Sequence, residues 1–106
     1  MAKYMFMVDY TTDGSKGLVK DGGSKRHAAV QKAIENLGGA LEAFYFSFGK
    51  DDAVVIADLP DNISAAALSL AVSATGAGAI HTTALLTSEE IDKAARKRSA
   101  YKAPGA

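Results

Sequence analysis

The stretch from residue 38 to residue 59, GGALEAFYFSFGKDDAVVIADL, decides the fold that this sequence predicts. Its double glycine ends a helix, because glycine adopts the left-handed conformation of a C-terminal cap without steric cost. Two apolar strands follow, at about residues 41–48 and 53–59, and the short link 49–52 joins them as an antiparallel hairpin. Both strands are apolar on both sides, so both faces of the sheet need cover.

The segments around this hairpin supply a strand and a helix on each side of it. Residues 3–10 are rich in aromatic and branched side chains and predict the first strand, and residues 79–86 predict the fourth. A helix with an apolar stripe follows Ser24, a favoured N-cap residue, and residues 63–75 predict a second helix. The order β-α-β-β-α-β is that of a ferredoxin-like α+β fold, with two helices on one face of an antiparallel sheet.

Two shorter features complete the predicted organisation. Residues 11–14 end the first strand and predict a short helical turn that continues through residue 19. Thr87 and Glu90 form a capping box, which predicts a C-terminal helix followed by a frayed tail. We therefore expect one ferredoxin-like domain over residues 1–87, with the C-terminal helix and tail over residues 88–106.

The composition excludes several classes of protein. The 12 Lys and Arg residues balance 12 Asp and Glu residues, and a nucleic-acid binder usually shows a basic excess. The absence of cysteine excludes thiolate metal sites, and neither histidine has the other nearby, so we expect no metal and no cofactor. The N-terminal apolar run is too short for a signal peptide, and no run approaches the length of a membrane helix. We expect a cytoplasmic protein that binds neither nucleic acid nor membrane.

The strands also predict a partner. If water covered the second face of the sheet, the strands would alternate between apolar and polar residues. The strands do not alternate in this way: in the first strand, Met5 and Met7 lie on one side and other apolar residues lie on the opposite side. In the second strand, the charged Glu42 is expected on the same side as the phenylalanines. We expect a symmetric homodimer that packs the two sheets together. The nearly all-apolar second helix suggests a further contact in a higher oligomer; in the alternative, its small residues let the helix lie close to the sheet.

Several motifs occur together in the predicted elements. Thr11-x-x-Gly14 follows the first strand, Arg26 lies near the start of the main helix, and the double glycine precedes the residues 44–46, FYF. Phe48-Gly49 and the run 52–56, DAVVI, complete the set. With these motifs, about residues 3–86 resemble the GYD domain family, small bacterial and archaeal proteins of the dimeric α/β-barrel superfamily.

The resemblance implies a barrel-like dimer and no particular activity. The sequence departs from the family at the Gly-Tyr-Asp signature, because Asp51 occupies the position where the family has its tyrosine.

The first candidate for catalysis is a pair of residues on neighbouring strands. The fourth strand should pair antiparallel with the first, which brings His81 near Asp9 and Tyr10, and a one-residue change of register decides whether His81 and Asp9 share a face. If His81 and Asp9 share a face, they could act together as a general base or as a ligand anchor. In the alternative, His81 bonds to the backbone or to Thr83, and Asp9 is solvated at the strand end.

The other candidates are tyrosines and a cluster at a helix start. Tyr10 and Tyr45 could offer hydroxyl groups to a ligand, although tyrosines on strands are more often core or interface residues. Ser24, Lys25 and Arg26 follow two glycines and could hold an anion at the helix N-terminus. The alternative for that cluster is an ordinary capped turn with two solvated cations.

Two classes of function remain open. The first is a ligand-binding or assembly module that works as a homodimer and takes a small molecule, if any. The second is a cofactor-independent oxygenase or isomerase of the dimeric α/β-barrel type, acting on a small organic substrate. The second requires an open space lined by His81, Asp9 or a tyrosine, and it rests on analogy of fold.

Overall fold

A computed structural model describes residues 1–47 and 49–106, and its elements follow the predicted order with one helix more. These elements are β1 (Ala2–Tyr10), α1 (Thr12–Asp21), α2 (Gly23–Asn36), β2 (Ala40–Phe46), β3 (Ala53–Leu59), α3 (Asn62–Ala74), β4 (Gly78–Leu85) and α4 (Ser88–Arg96). The strands form one antiparallel sheet in the order β2-β3-β1-β4. The ferredoxin-like α+β fold is therefore confirmed. The predicted end of the second strand, Phe48, lies outside the described residues.

The first helix is longer than the predicted turn. Thr11 is its N-cap: the side-chain oxygen accepts a hydrogen bond from the Gly14 N–H at 3.2 Å and donates one to the Gly76 carbonyl at 2.8 Å. This second bond joins the start of α1 to the turn before β4, a long-range contact that no local pattern reveals. Gly22, at φ +82°, separates α1 from α2 and is the N-cap of α2. The prediction that Ser24 is the N-cap is therefore wrong, and Ser24 lies inside the first turn.

The core lies between the sheet and the helices α2 and α3. Alternate residues of β1 and β3 are buried on this side, so each strand contributes every second side chain to the core. The buried cluster consists of Tyr4, Phe6, Ile34, Val55, Ala57, Leu59, Ala65 and Leu68. Burying a side chain the size of Phe6 or Ile34 contributes about 1.5–3 kcal/mol, which makes this face the main source of stability.

The double glycine has two separate functions in this packing. Gly38 has φ +82°, a conformation that other residues adopt only with strain. Gly39 lies against β3, where an added Cβ would overlap the Asp58 carbonyl oxygen and crowd Leu59. One glycine therefore ends α2 and the next lets β2 start close to its neighbour.

No helix in residues 1–47 or 49–106 combines the length and the apolar character needed to span a bilayer.

Two glycines of α1 provide a matched test of this packing. An added Cβ at Gly14 would overlap the Ala77 carbonyl oxygen, whereas one at Gly17 meets nothing within 4 Å. We expect Gly14→Ala to lower the free energy of unfolding by about 2 kcal/mol or more, because a backbone must shift. Gly17→Ala should raise it by up to about 1 kcal/mol.

Urea unfolding followed by circular dichroism measures both changes. Equal midpoints for the two variants would contradict the close contact between α1 and the turn before β4.

Candidate functional site

The face of the sheet opposite the helices, here called the open face, carries apolar side chains in its centre. Backbone pairing aligns its residues in rows that cross all four strands. One row is Tyr45, Val54, Met7 and His81, and the next is Ala43, Ile56, Met5 and Thr83. The four central residues of β1 and β3 are only half-buried in the single chain. The open face is thus an apolar surface that no helix among the described residues covers.

The register places Asp9 and His81 together on the open face. His81 pairs with Met7, and Asp9 pairs with Ala79, two residues before His81. Asp9 and His81 are therefore diagonal neighbours, a relation that separates Cα atoms by roughly 7–8 Å. Asp9 is half-buried and His81 is exposed. Of the two registers left open by the sequence, the structure has the one in which the pair shares a face.

The tyrosine candidates do not join this pair. Tyr45 lies on the open face, 70% exposed, but β2 and β4 are opposite edges of the sheet, roughly 14 Å apart. Tyr10 is on the helix side, two residues beyond the buried Val8. The predicted catalytic residues are thus divided between the two faces.

A charged cluster borders the open face at its other end. The Lys3 ammonium lies 2.8 Å from a Glu42 carboxylate oxygen and 3.0 Å from one of Asp58. These hydrogen bonds raise the pKa of Lys3. Glu42 reaches Lys3 because the β2–β3 register shifts between Leu41 and Ala43, leaving Glu42 as an extra residue in a β-bulge. The prediction that Glu42 lies with the phenylalanines is wrong for this reason.

A cleft of about 330 Å³ opens on the helix side, where β1 ends beside α1 and α2. We call it the Tyr10 cleft; its lining residues are Tyr10, Ser15, Leu18, Gly23, Phe46, Ser47 and Asp52. Asp52 fixes one wall, since its carboxylate accepts a hydrogen bond from the Tyr10 N–H at 2.9 Å and its own N–H donates to the Val8 carbonyl. Burial raises the pKa of the Tyr10 phenol.

The sequence indicated only part of this cleft. Tyr10 is a candidate from the sequence, but Ser15, Leu18, Ser47 and Asp52 are not, because they are far apart in the chain: the first two lie in α1 and the other two between β2 and β3. The sequence signal that points to this wall of the cleft is the pair of acidic residues Asp51 and Asp52, which lies between β2 and β3. Asp51 is buried, 9% exposed, and its backbone carbonyl accepts a hydrogen bond from the Ser47 hydroxyl.

The anion-site candidates are spread out at the start of α2. The Lys25 side chain is 75% exposed, and its ammonium is 3.9 Å from the Asp21 carboxylate. Ser24 is exposed as well. Arg26 is half-buried, and its charge opposes the effect of burial on the pKa of Tyr10, which places it near the cleft. Arg26 is the member of this cluster that can influence a ligand in the Tyr10 cleft.

Among the described residues, no group of three or more histidine, aspartate or glutamate side chains is arranged to hold a metal ion.

Comparison with known proteins gives one match. The family model described as GYD domain matches residues 4–95, from β1 into α4. No curated protein and no solved structure matches the chain. Thr11 and Gly14, two of the residues that carry the resemblance, make the contacts that join α1 to the turn before β4.

The raised pKa of Tyr10 predicts a measurable titration. Burial disfavours the phenolate, so the folded-state pKa lies above the ordinary value of 10.0. The native state therefore holds this proton more tightly than the unfolded state. The contribution to stability is complete below pH 10 and is lost as the pH rises through the folded-state pKa.

The ionisation of Tyr10 is measured by tyrosinate absorbance at 295 nm as a function of pH, compared between the natural protein and Tyr10→Phe. The difference between the two curves should rise above pH 10. A difference centred at or below pH 10 would contradict the burial of Tyr10.

Proposed function

We propose that this chain, which belongs to the GYD domain family, is a homodimeric assembly and ligand-binding module whose subunits pack through the open face. The observation that carries the proposal is the apolar centre of that face, formed by Met5, Met7, Val54 and Ile56. The apolar centre of a second copy of the open face can cover this surface without leaving polar groups unpaired. The proposed dimer has the two sheets face to face, as in an α/β barrel.

The distribution of charge on the open face supports a two-fold arrangement. Charged residues lie at its borders, with Lys3, Glu42 and Asp58 at one end and Asp9 at the other. An apolar centre with a polar rim is the usual anatomy of a protein interface. In a two-fold dimer, each apolar centre meets its own copy and the rims remain in contact with water.

The size of the open face is consistent with this use. Four strands about 4.8 Å apart, each with about seven residues at about 3.3 Å, give a flat area of roughly 400 Å². Side chains that protrude from the sheet increase the accessible area of the open face above this value, toward the roughly 800 Å² per partner of a standard interface.

The outer surface of α3 supports further association of dimers. This helix has no charged residue from Asn62 to Ala74, and Ile63 and Leu70 are 79% and 70% exposed. We include a higher oligomer through α3 in the proposal. A cytoplasmic location is also part of it, supported by a chain without cysteine.

One observation favours the second function, cofactor-independent oxygenation or isomerisation of a small organic substrate. The β1–β4 register brings Asp9 and His81 to the same face, where an imidazole and a carboxylate are the side chains that general acid–base catalysis most often uses. Turnover of a small organic substrate that persists in His81→Ala would exclude this role.

The dimer is tested by placing a charge in the centre of the open face. Sedimentation equilibrium of the natural protein at micromolar concentration should give a mass of at least twice the 11.0 kDa of one chain. In Met7→Lys, a two-fold interface would bring two new ammonium groups together in an apolar environment. We expect this variant to sediment as a folded monomer.

Leu70→Lys is the matched control, since it places the same charge on the exposed surface of α3. It should leave the dimer intact and remove only species larger than a dimer. A natural protein that sediments at 11.0 kDa, or a dimer that survives Met7→Lys, would refute the proposed interface.

A further inference from the structure

We propose that the Tyr10 cleft binds a small, neutral aromatic molecule whose hydroxyl group donates a hydrogen bond to the Asp52 carboxylate. The cleft lies on the helix side of the sheet, on the opposite side from the open face through which the proposed dimer packs. The site therefore does not require the proposed dimer, and the two proposals can fail separately.

The shape of the cleft favours a flat ligand with one or two rings. Its 330 Å³ is at the lower end of the range for small-molecule sites. The Phe46 ring reaches in beneath the start of α2, where an added Cβ at Gly23 would be only 3.0 Å from Phe46 Cε2. Tyr10 and Leu18 complete the apolar walls. Aromatic walls pack well against the face or edge of another ring.

The polar groups of the cleft select for a hydroxyl donor. Asp52 uses one acceptor position for the Tyr10 N–H, and a carboxylate offers about four. A ligand hydroxyl can therefore join the same carboxylate, and hydrogen bonds to charged acceptors are stronger than those between neutral groups. Ser15 and Ser47 supply further hydroxyl groups for a second polar substituent.

The charges around the cleft have opposite signs and offset one another, so the cleft favours neither an anion nor a cation. The Asp52 carboxylate repels an anion. Arg26 and the positive N-terminal end of α2, whose first residue Gly23 lines the cleft, repel a cation. With its pKa raised by burial, the Tyr10 phenol is neutral at pH 7. A neutral molecule with one donor group meets these constraints best.

The probes for this site are a matched pair of small aromatic molecules. 2-Naphthol has two fused rings and a hydroxyl donor, whereas 2-methoxynaphthalene has the same rings without the donor. Amide chemical shifts of the labelled full chain, recorded at pH 7 during titration, report both the site and the affinity. We expect 2-naphthol to shift the amides of Ser15, Leu18, Gly23 and Ser47 and to bind at least about tenfold more tightly than 2-methoxynaphthalene.

Three variants locate the interaction. Asp52→Asn keeps an acceptor for the Tyr10 N–H but removes the charge, and it should weaken 2-naphthol binding about five- to tenfold with little effect on 2-methoxynaphthalene. Ser15→Phe should fill the cleft and abolish binding of both probes. Lys16→Phe is the control, because Lys16 is exposed on the same helix but does not line the cleft.

Several results would overturn the proposal. These are equal affinity for the two probes, unchanged 2-naphthol binding in Asp52→Asn, and shifts confined to the open face. Tighter binding of 2-naphthoate than of 2-naphthol would also overturn it, in favour of an anion held by Arg26 and α2. If Ser15→Phe fails to fold, the probe pair and Asp52→Asn still decide the matter.

Discussion

The structure depends on the need to cover both faces of one four-stranded sheet. On the helix side, alternate residues of β1 and β3 are buried beneath α2 and α3, and these contacts form the core. The intervening residues of the same strands, with Met5, Met7, Val54 and Ile56 in the centre, are apolar but only half-buried. The fold thus satisfies one face and leaves the other for the proposed partner.

Much of the fold could be predicted from the sequence because its signals are local. Strand composition, the apolar stripe around Ile34 and the glycines that end α2 act within a few residues of the chain. The length of α1 could not be predicted in this way. This helix has only two large apolar residues, Leu18 and Val19, none of its residues is buried, and its start depends on the bond between Thr11 and the distant Gly76 carbonyl.

The candidate site was less predictable because it depends on register and on distant contacts. The relation of Asp9 to His81 changes with a one-residue shift in pairing, which alternation alone does not determine. The bulge at Glu42 reverses which face that residue occupies. The Tyr10 cleft combines separate segments, so no window of sequence contains its pattern. Thr11 and Gly14, two of the residues on which the sequence resemblance rests, join α1 to the turn before β4.

The most direct test of the proposed dimer detects contacts between subunits at the open face. An isotope-filtered NOE spectrum can be recorded on an equal mixture of chains with labelled methionine methyl groups and unlabelled chains. Packing of the two sheets predicts NOEs from the methyl groups of Met5 and Met7 to protons of the unlabelled chain. The absence of such NOEs from both methionines, in a sample shown to be dimeric, would contradict the proposed interface.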